Sequence, residues 1–157
     1  MTLPTPYYEA DGITIFCGDC RDILPGLEPV DLVLTDPPYG IGADAKQGKR
    51  ANKQHGAAAA PSKDYGESNW DNSPPDMETI NAAISHGCNA IVWGGNYFSL
   101  PPSPAWLVWN KQTGSNGYAD AELAWSNLSQ AVRMLTHRWM GMLKDNCGDD
   151  DARTHPM

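Results

Sequence analysis

The run Val30-Asp31-Leu32-Val33-Leu34-Thr35 is nearly all apolar, and it stops abruptly at Asp36-Pro37-Pro38-Tyr39-Gly40. An apolar run of this length suits a strand buried on both faces, as in a parallel sheet. It must end at the prolines, because each fixes its own φ, removes a backbone donor and drives the preceding residue into extended geometry. Other segments repeat the pattern of a short strand closed by a breaker. Ile13-Thr14-Ile15-Phe16-Cys17 ends at Gly18-Asp19, and Ala90-Ile91-Val92-Trp93 ends at Gly94-Gly95-Asn96. Trp106-Leu107-Val108-Trp109 follows a proline-rich stretch, and Glu122-Leu123-Ala124-Trp125 and Arg138-Trp139-Met140 are two later strand candidates.

Helices are expected between some of these strands. Cys20 to Leu27 has room for one or two turns, closed by Pro25-Gly26. Pro75 to Gly87 reads as a helix, with Asp76 and Glu78 early, Met77, Ile80 and Ile84 on one face, and Gly87 as its stop. Strands alternating with helices predict an α/β fold with a mainly parallel sheet. A chain of 157 residues suits one domain spanning 1–157. Residues 41–69 are rich in Gly, Ala, Lys, Asn and Ser, and a loop this long in a compact domain is expected to be functional or mobile. The tail from Lys144 to Met157 reads as loop.

The formal net charge of −8 excludes a general nucleic-acid coat, which would be basic throughout. It leaves room for one local patch. Lys46, Lys49, Arg50, Lys53 and Lys63 lie within 45–63, a stretch without an acid. They read either as a solvated loop or as an arm that meets phosphates. The N-terminus has neither a basic region nor an apolar core, and no apolar stretch is long enough for a bilayer, so no membrane partner and a cytoplasmic location are expected. Cys17 and Cys20 have CxxC spacing, but a zinc site wants a second close pair, and Cys88 and Cys147 stand apart. Small residues at a strand end are the simpler reading, with metal or redox use as the rival.

Asp36-Pro37-Pro38-Tyr39 offers a carboxylate, a row of carbonyls and a flat aromatic face at the end of a strand, where ligands of open α/β sheets sit. Acceptors beside a stacking face suit a planar amine such as the amino group of a nucleobase. Its lone pair is delocalised into the ring. Hydrogen bonds from its two hydrogens, to the Asp36 carboxylate and the Pro37 carbonyl, favour a tetrahedral nitrogen whose localised lone pair can attack an electrophilic methyl. Positioning supplies much of the remaining rate. The base must leave the duplex at a cost of a few kcal/mol, of which stacking on Tyr39 returns roughly 1–3 kcal/mol.

Thr35 to Gly40 resembles the catalytic motif of the AdoMet-dependent DNA amino-methyltransferases, which methylate adenine N6 or cytosine N4. Gly18-Asp19-Cys20-Arg21-Asp22-Ile23-Leu24 is similar to the GDCxxxL segment of the family's beta-type members. Ile91 to Phe98, Trp106 to Lys111, Glu122 to Trp125 and Arg138-Trp139 are similar to segments of small phage and prophage members. The resemblance runs along nearly the whole chain. It departs at the end: Arg153-Thr154-His155-Pro156-Met157 resembles the opening of the HPTQKP-like motif, but no Phe-x-Gly-x-Gly occurs.

The resemblance implies a partial Rossmann-like methyltransferase fold, S-adenosyl-L-methionine as methyl donor and double-stranded DNA as partner. The catalytic domain would be incomplete, with a homodimer or a second chain supplying the missing donor half. It implies adenine N6 as the target, with cytosine N4 or a non-catalytic DNA-binding remnant as alternatives. Asp36, Pro37, Pro38 and Tyr39 would be catalytic, and Asp19, Cys20, Asp36 and His155 would meet the donor. Tyr39, Trp93, Gly94 and Asn96 would line the base pocket, while Lys46, Lys49, Arg50 and Lys53 approach phosphates. Asp19 can equally be read as a helix N-cap.

Overall fold

A computed structural model describes residues 2–42, 69–113, 119–140 and 143–144, with the backbone alone for 139–140 and 143–144. The basic stretch that carries Lys46, Lys49, Arg50 and Lys53, and the tail that carries His155, lie outside the described residues.

The chain opens with an antiparallel hairpin of β1 (Tyr8–Ala10) and β2 (Ile13–Ile15). Its turn is Asp11-Gly12, with φ of 53° and 77°. Positive φ at both central residues is what a tight two-residue hairpin demands, and Asp-Gly meets the demand cheaply. A short helix α1 (Cys20–Ile23) follows, continued by a tight turn over Leu24–Gly26. The Asp19 carboxylate caps α1 by accepting from the Arg21 amide at 2.9 Å. Helix α2 (Met77–Ser85) is capped in the same way, with Asp76 accepting from the Thr79 amide at 2.7 Å.

The main sheet holds β3 (Val30–Thr35), β4 (Gly87–Trp93), β5 (Leu107–Asn110), β6 (Ala121–Ser126) and β7 (Arg133–Thr136), in the order β3-β4-β6-β5-β7. A small hairpin pairs β8 (Trp139–Met140) with β9 (Leu143–Lys144). The fold is mixed α/β, as expected, but the expected mainly parallel sheet is corrected. Only β3–β4 and β5–β7 are parallel, while β6 runs antiparallel to both of its neighbours. The connection explains the reversal. Residues 111–120 are too few for the crossover of a dozen or more residues that a parallel partner needs, so β6 folds straight back on β5.

Helix α2 sends Ile80 and Ile84 inward. The core is built on Ala90, Val92 and Trp125, with Val33, Ile84, Phe98, Leu100 and Trp106 packed against them. The Trp125 indole N–H is satisfied by the Pro101 carbonyl at 2.8 Å, which ties the proline-rich stretch to β6. Gly87 opens β4 instead of merely stopping α2. A Cβ there would stand 2.7 Å from the Asn89 carbonyl oxygen and 2.9 Å from Val33 Cγ2, so only glycine lets β3 and β4 approach.

The expectation that β3 is buried on both faces is also corrected. Val33 and Thr35 turn to the core side, but Val30, Leu32 and Leu34 are 39%, 47% and 62% exposed. Strand β3 stands at one end of the sheet order, and among the described residues only its core side is covered. No helix of the described residues is long and apolar enough to cross a membrane.

Candidate active site

Strands β3 and β4 run side by side in the same direction, with Thr35 opposite Val92. Their exits therefore lie together. Asp36-Pro37-Pro38-Tyr39-Gly40 leaves one strand, and a tight turn over Gly95–Tyr97 leaves the other. Gly94 makes the meeting possible. It has φ of 63°, its amide donates to the Leu123 carbonyl at 2.8 Å, and a Cβ there would lie 2.6 Å from Tyr39 Cδ1 and closer still to Cε1 and Cζ.

The Tyr39 ring stacks on Tyr97, with centroids 4.7 Å apart and planes within 12°, and meets Phe98 edge-on at 6.4 Å. The Tyr39 hydroxyl donates a short hydrogen bond to Asp36 Oδ1. Burial pushes the Tyr39 phenol well above the ordinary tyrosine range, and the Asp36 carboxylate beside it adds to the shift, with smaller contributions from Glu122 and Tyr97. The phenol is thus a neutral donor at any physiological pH.

Beneath the motif lies Asp71, 1% exposed. Its Oδ1 accepts from the amides of both Tyr39 and Gly40, each at 2.8 Å. Its own carbonyl accepts from Gly42 at 3.0 Å. Gly40 has φ of 72°, and a Cβ there would stand 2.8 Å from the Pro74 nitrogen, so the turn after the tyrosine needs glycine on both counts.

Next to this group, Trp93 and Trp109 meet edge-on at 6.4 Å on the sheet face opposite Val92. Lys111 lies 5.3 Å over the Trp109 ring and forms an ion pair with Glu122. That pair joins residues at the two ends of the β5–β6 connection, and Glu122 lies within electrostatic reach of Tyr39.

The site residues expected from the sequence divide accordingly. Asp36, Pro37, Pro38 and Tyr39 form one turn, and Gly94 touches it. Asn96 is exposed within the neighbouring turn, and Trp93 points to the Trp109 side. Asp19 behaves as the N-cap. Its carboxylate is also paired with the Arg21 guanidinium at 2.5 Å, and those hydrogen bonds hold it down at about 2. Arg21 in turn feels Asp76 at the start of α2. Cys17 and Cys20 are free and exposed, and no metal-binding group of His, Cys, Asp and Glu occurs among the described residues.

Three contributors escape a sequence reading. Asp71 has only the turn signal of Asp71-Asn72-Ser73-Pro74 to mark it, Tyr97 is one aromatic among many, and the Lys111–Glu122 pair joins residues of different strands. No protein-family model, no curated protein and no solved structure matches this chain.

Proposed function

We propose that the chain is the catalytic domain of an AdoMet-dependent DNA amino-methyltransferase acting on adenine N6, with β3 and β4 as the site-bearing part of a Rossmann-like methyltransferase fold. One observation carries the reading. The Asp36 carboxylate and the Tyr39 ring leave the carboxyl end of β3 together, beside the parallel exit of β4. The exocyclic amine donates one hydrogen to Asp36 and one to the Pro37 carbonyl. Its nitrogen would become tetrahedral, and its lone pair would form the new N–CH3 bond as the methyl–sulfonium bond breaks, the sulfur leaving as a neutral thioether and the surplus proton passing by way of the Asp36 carboxylate to water.

The flipped base takes the place of Tyr97, which is 49% exposed, on the Tyr39 ring. That exchange is close to neutral or favourable, because a stacked aromatic pair is worth about 0.5–1.5 kcal/mol and a stacked base about 1–3 kcal/mol. Lys46, Lys49, Arg50 and Lys53 supply the phosphate contacts that an otherwise acidic chain lacks.

AdoMet supplies an electrophilic methyl carried on a sulfonium. Of the residues assigned to it, Asp19 is committed to Arg21 and to the cap of α1, so it fits the donor poorly. Asp36 remains the donor-side residue at the reacting amine.

The test is transfer from methyl-tritiated AdoMet to unmethylated duplex DNA, followed by digestion to nucleosides. Label in N6-methyldeoxyadenosine that disappears with Asp36→Ala supports the reading. Label in N4-methyldeoxycytidine moves the target to cytosine. No label from the wild-type chain at saturating DNA and donor contradicts it.

A further inference from the structure

The turn that carries Tyr39 does not hold itself in place. Pro37 and Pro38 donate no backbone hydrogen bond, so the first amides after Asp36 able to anchor the segment are those of Tyr39 and Gly40. Both end on one oxygen, Asp71 Oδ1, at 2.8 Å, and the Asp71 carbonyl takes the Gly42 amide. Asp71 therefore ties Tyr39, Gly40 and Gly42 together from about thirty residues further along the chain. Bonds from backbone amides to a carboxylate are among the stronger hydrogen bonds, and at 1% exposure water cannot replace them.

We propose that Asp71 is a positioning residue, which fixes the Tyr39–Gly40 backbone and through it sets the Tyr39 phenol against Asp36 and the Tyr39 ring against the base. This deepens the methyltransferase reading and rests on it for its effect on transfer. Asp71 touches no reacting atom. Its effect is geometric, and a misplacement of about 1 Å at a reacting centre can cost on the order of 100-fold in rate.

The two amides share one oxygen, so the variants separate hydrogen bonding from charge. Asp71→Asn keeps an acceptor oxygen for both amides, whereas Asp71→Ala removes it. Transfer by Asp71→Ala falls on the order of 100-fold in kcat, with the KM for AdoMet unchanged, and Asp71→Asn restores most of the loss. In parallel, tyrosinate absorbance is followed through an alkaline titration. The late titration of the Tyr39 phenol is lost in Asp71→Ala and kept in Asp71→Asn. Should Asp71→Ala fail to fold, Asp71→Glu, which keeps the charge but shifts the oxygens by a methylene, is read in the same two ways.

A folded Asp71→Ala or Asp71→Glu that retains both the late phenol and wild-type kcat overturns the proposal. Absence of transfer by the wild type defeats the functional reading instead, and the phenol titration then still decides whether Asp71 holds Tyr39.

Discussion

Gly94→Ala places a methyl group directly against the ring at the heart of the site. Two costs add. Residue 94 sits at φ of 63°, where an L-residue other than glycine loses about 1–2 kcal/mol. The new Cβ would also lie 2.6 Å from Tyr39 Cδ1 and closer still to Cε1 and Cζ, whereas ordinary contact begins near 3.4 Å, so the ring must shift by more than about 1 Å. That shift loosens the stack on Tyr97, worth about 0.5–1.5 kcal/mol, and the hydrogen bond to Asp36, worth a similar amount.

The sum is about 2–5 kcal/mol, and in a domain of this size each kcal/mol moves Tm by about 2–4 °C. Thermal unfolding followed by circular dichroism is the assay, and Gly12→Ala is the control. Gly12 has φ of 77°, and a Cβ added there would meet nothing within 4 Å, so it isolates the backbone cost. Gly94→Ala should lower Tm by roughly 4–20 °C, clearly more than Gly12→Ala. Equal shifts for the two variants would refute the claim that Gly94 is glycine because Tyr39 lies against it.

Three further outcomes are expected. The Tyr39 phenol is held neutral by burial and by Asp36, so its raised titration stabilises the fold below the ordinary tyrosine range near pH 10; that contribution should fade as unfolded tyrosines ionise above it, which equilibrium unfolding measured from pH 8 to 11 checks. The Asp76 carboxylate is held below the usual carboxylate range by the Thr79 amide, so Asp76→Ala should destabilise the protein at neutral pH, with the gap to wild type closing as both are taken below about pH 4. Neutralising Lys46, Lys49, Arg50 and Lys53 together should weaken duplex binding and flatten its dependence on salt by up to about four units of log–log slope, and an unchanged slope would remove that stretch from DNA contact.

What can be read from the sequence follows from the range of the interactions. Strands β3, β4, β5 and β6 announce themselves by local apolar runs, and α2 by its cap and its spacing of Ile80 and Ile84. The direction of β6 is not legible, because strand orientation is set by pairing across the sheet. Strand β7 escapes a sequence reading because Arg133-Met134-Leu135-Thr136 has no strong β pattern and gains its order from β5. The β1–β2 hairpin is not among the expected elements, although Asp-Gly between Tyr8–Ala10 and Ile13–Ile15 is a compact hairpin signal.

The exposed side of β3 departs from the sequence expectation for a physical reason: an apolar strand reports what it tolerates, while burial depends on what packs against it. At the site, the Asp36-to-Tyr39 turn is visible because its constraint is covalent, in the prolines. Asp71 is not, because its bonds to Tyr39 and Gly40 span more than thirty residues of chain.

The central claim is that Asp36 and the Tyr39 turn activate an exocyclic amine of DNA for methylation. Its most direct test is nucleoside mass spectrometry of DNA from a bacterial host stripped of its own DNA methyltransferases and expressing this chain, beside the same host expressing Asp36→Ala at an equal level. The account predicts N6-methyldeoxyadenosine in the first DNA and none in the second. DNA free of methylated amines in both, or methylated equally in both, would contradict it.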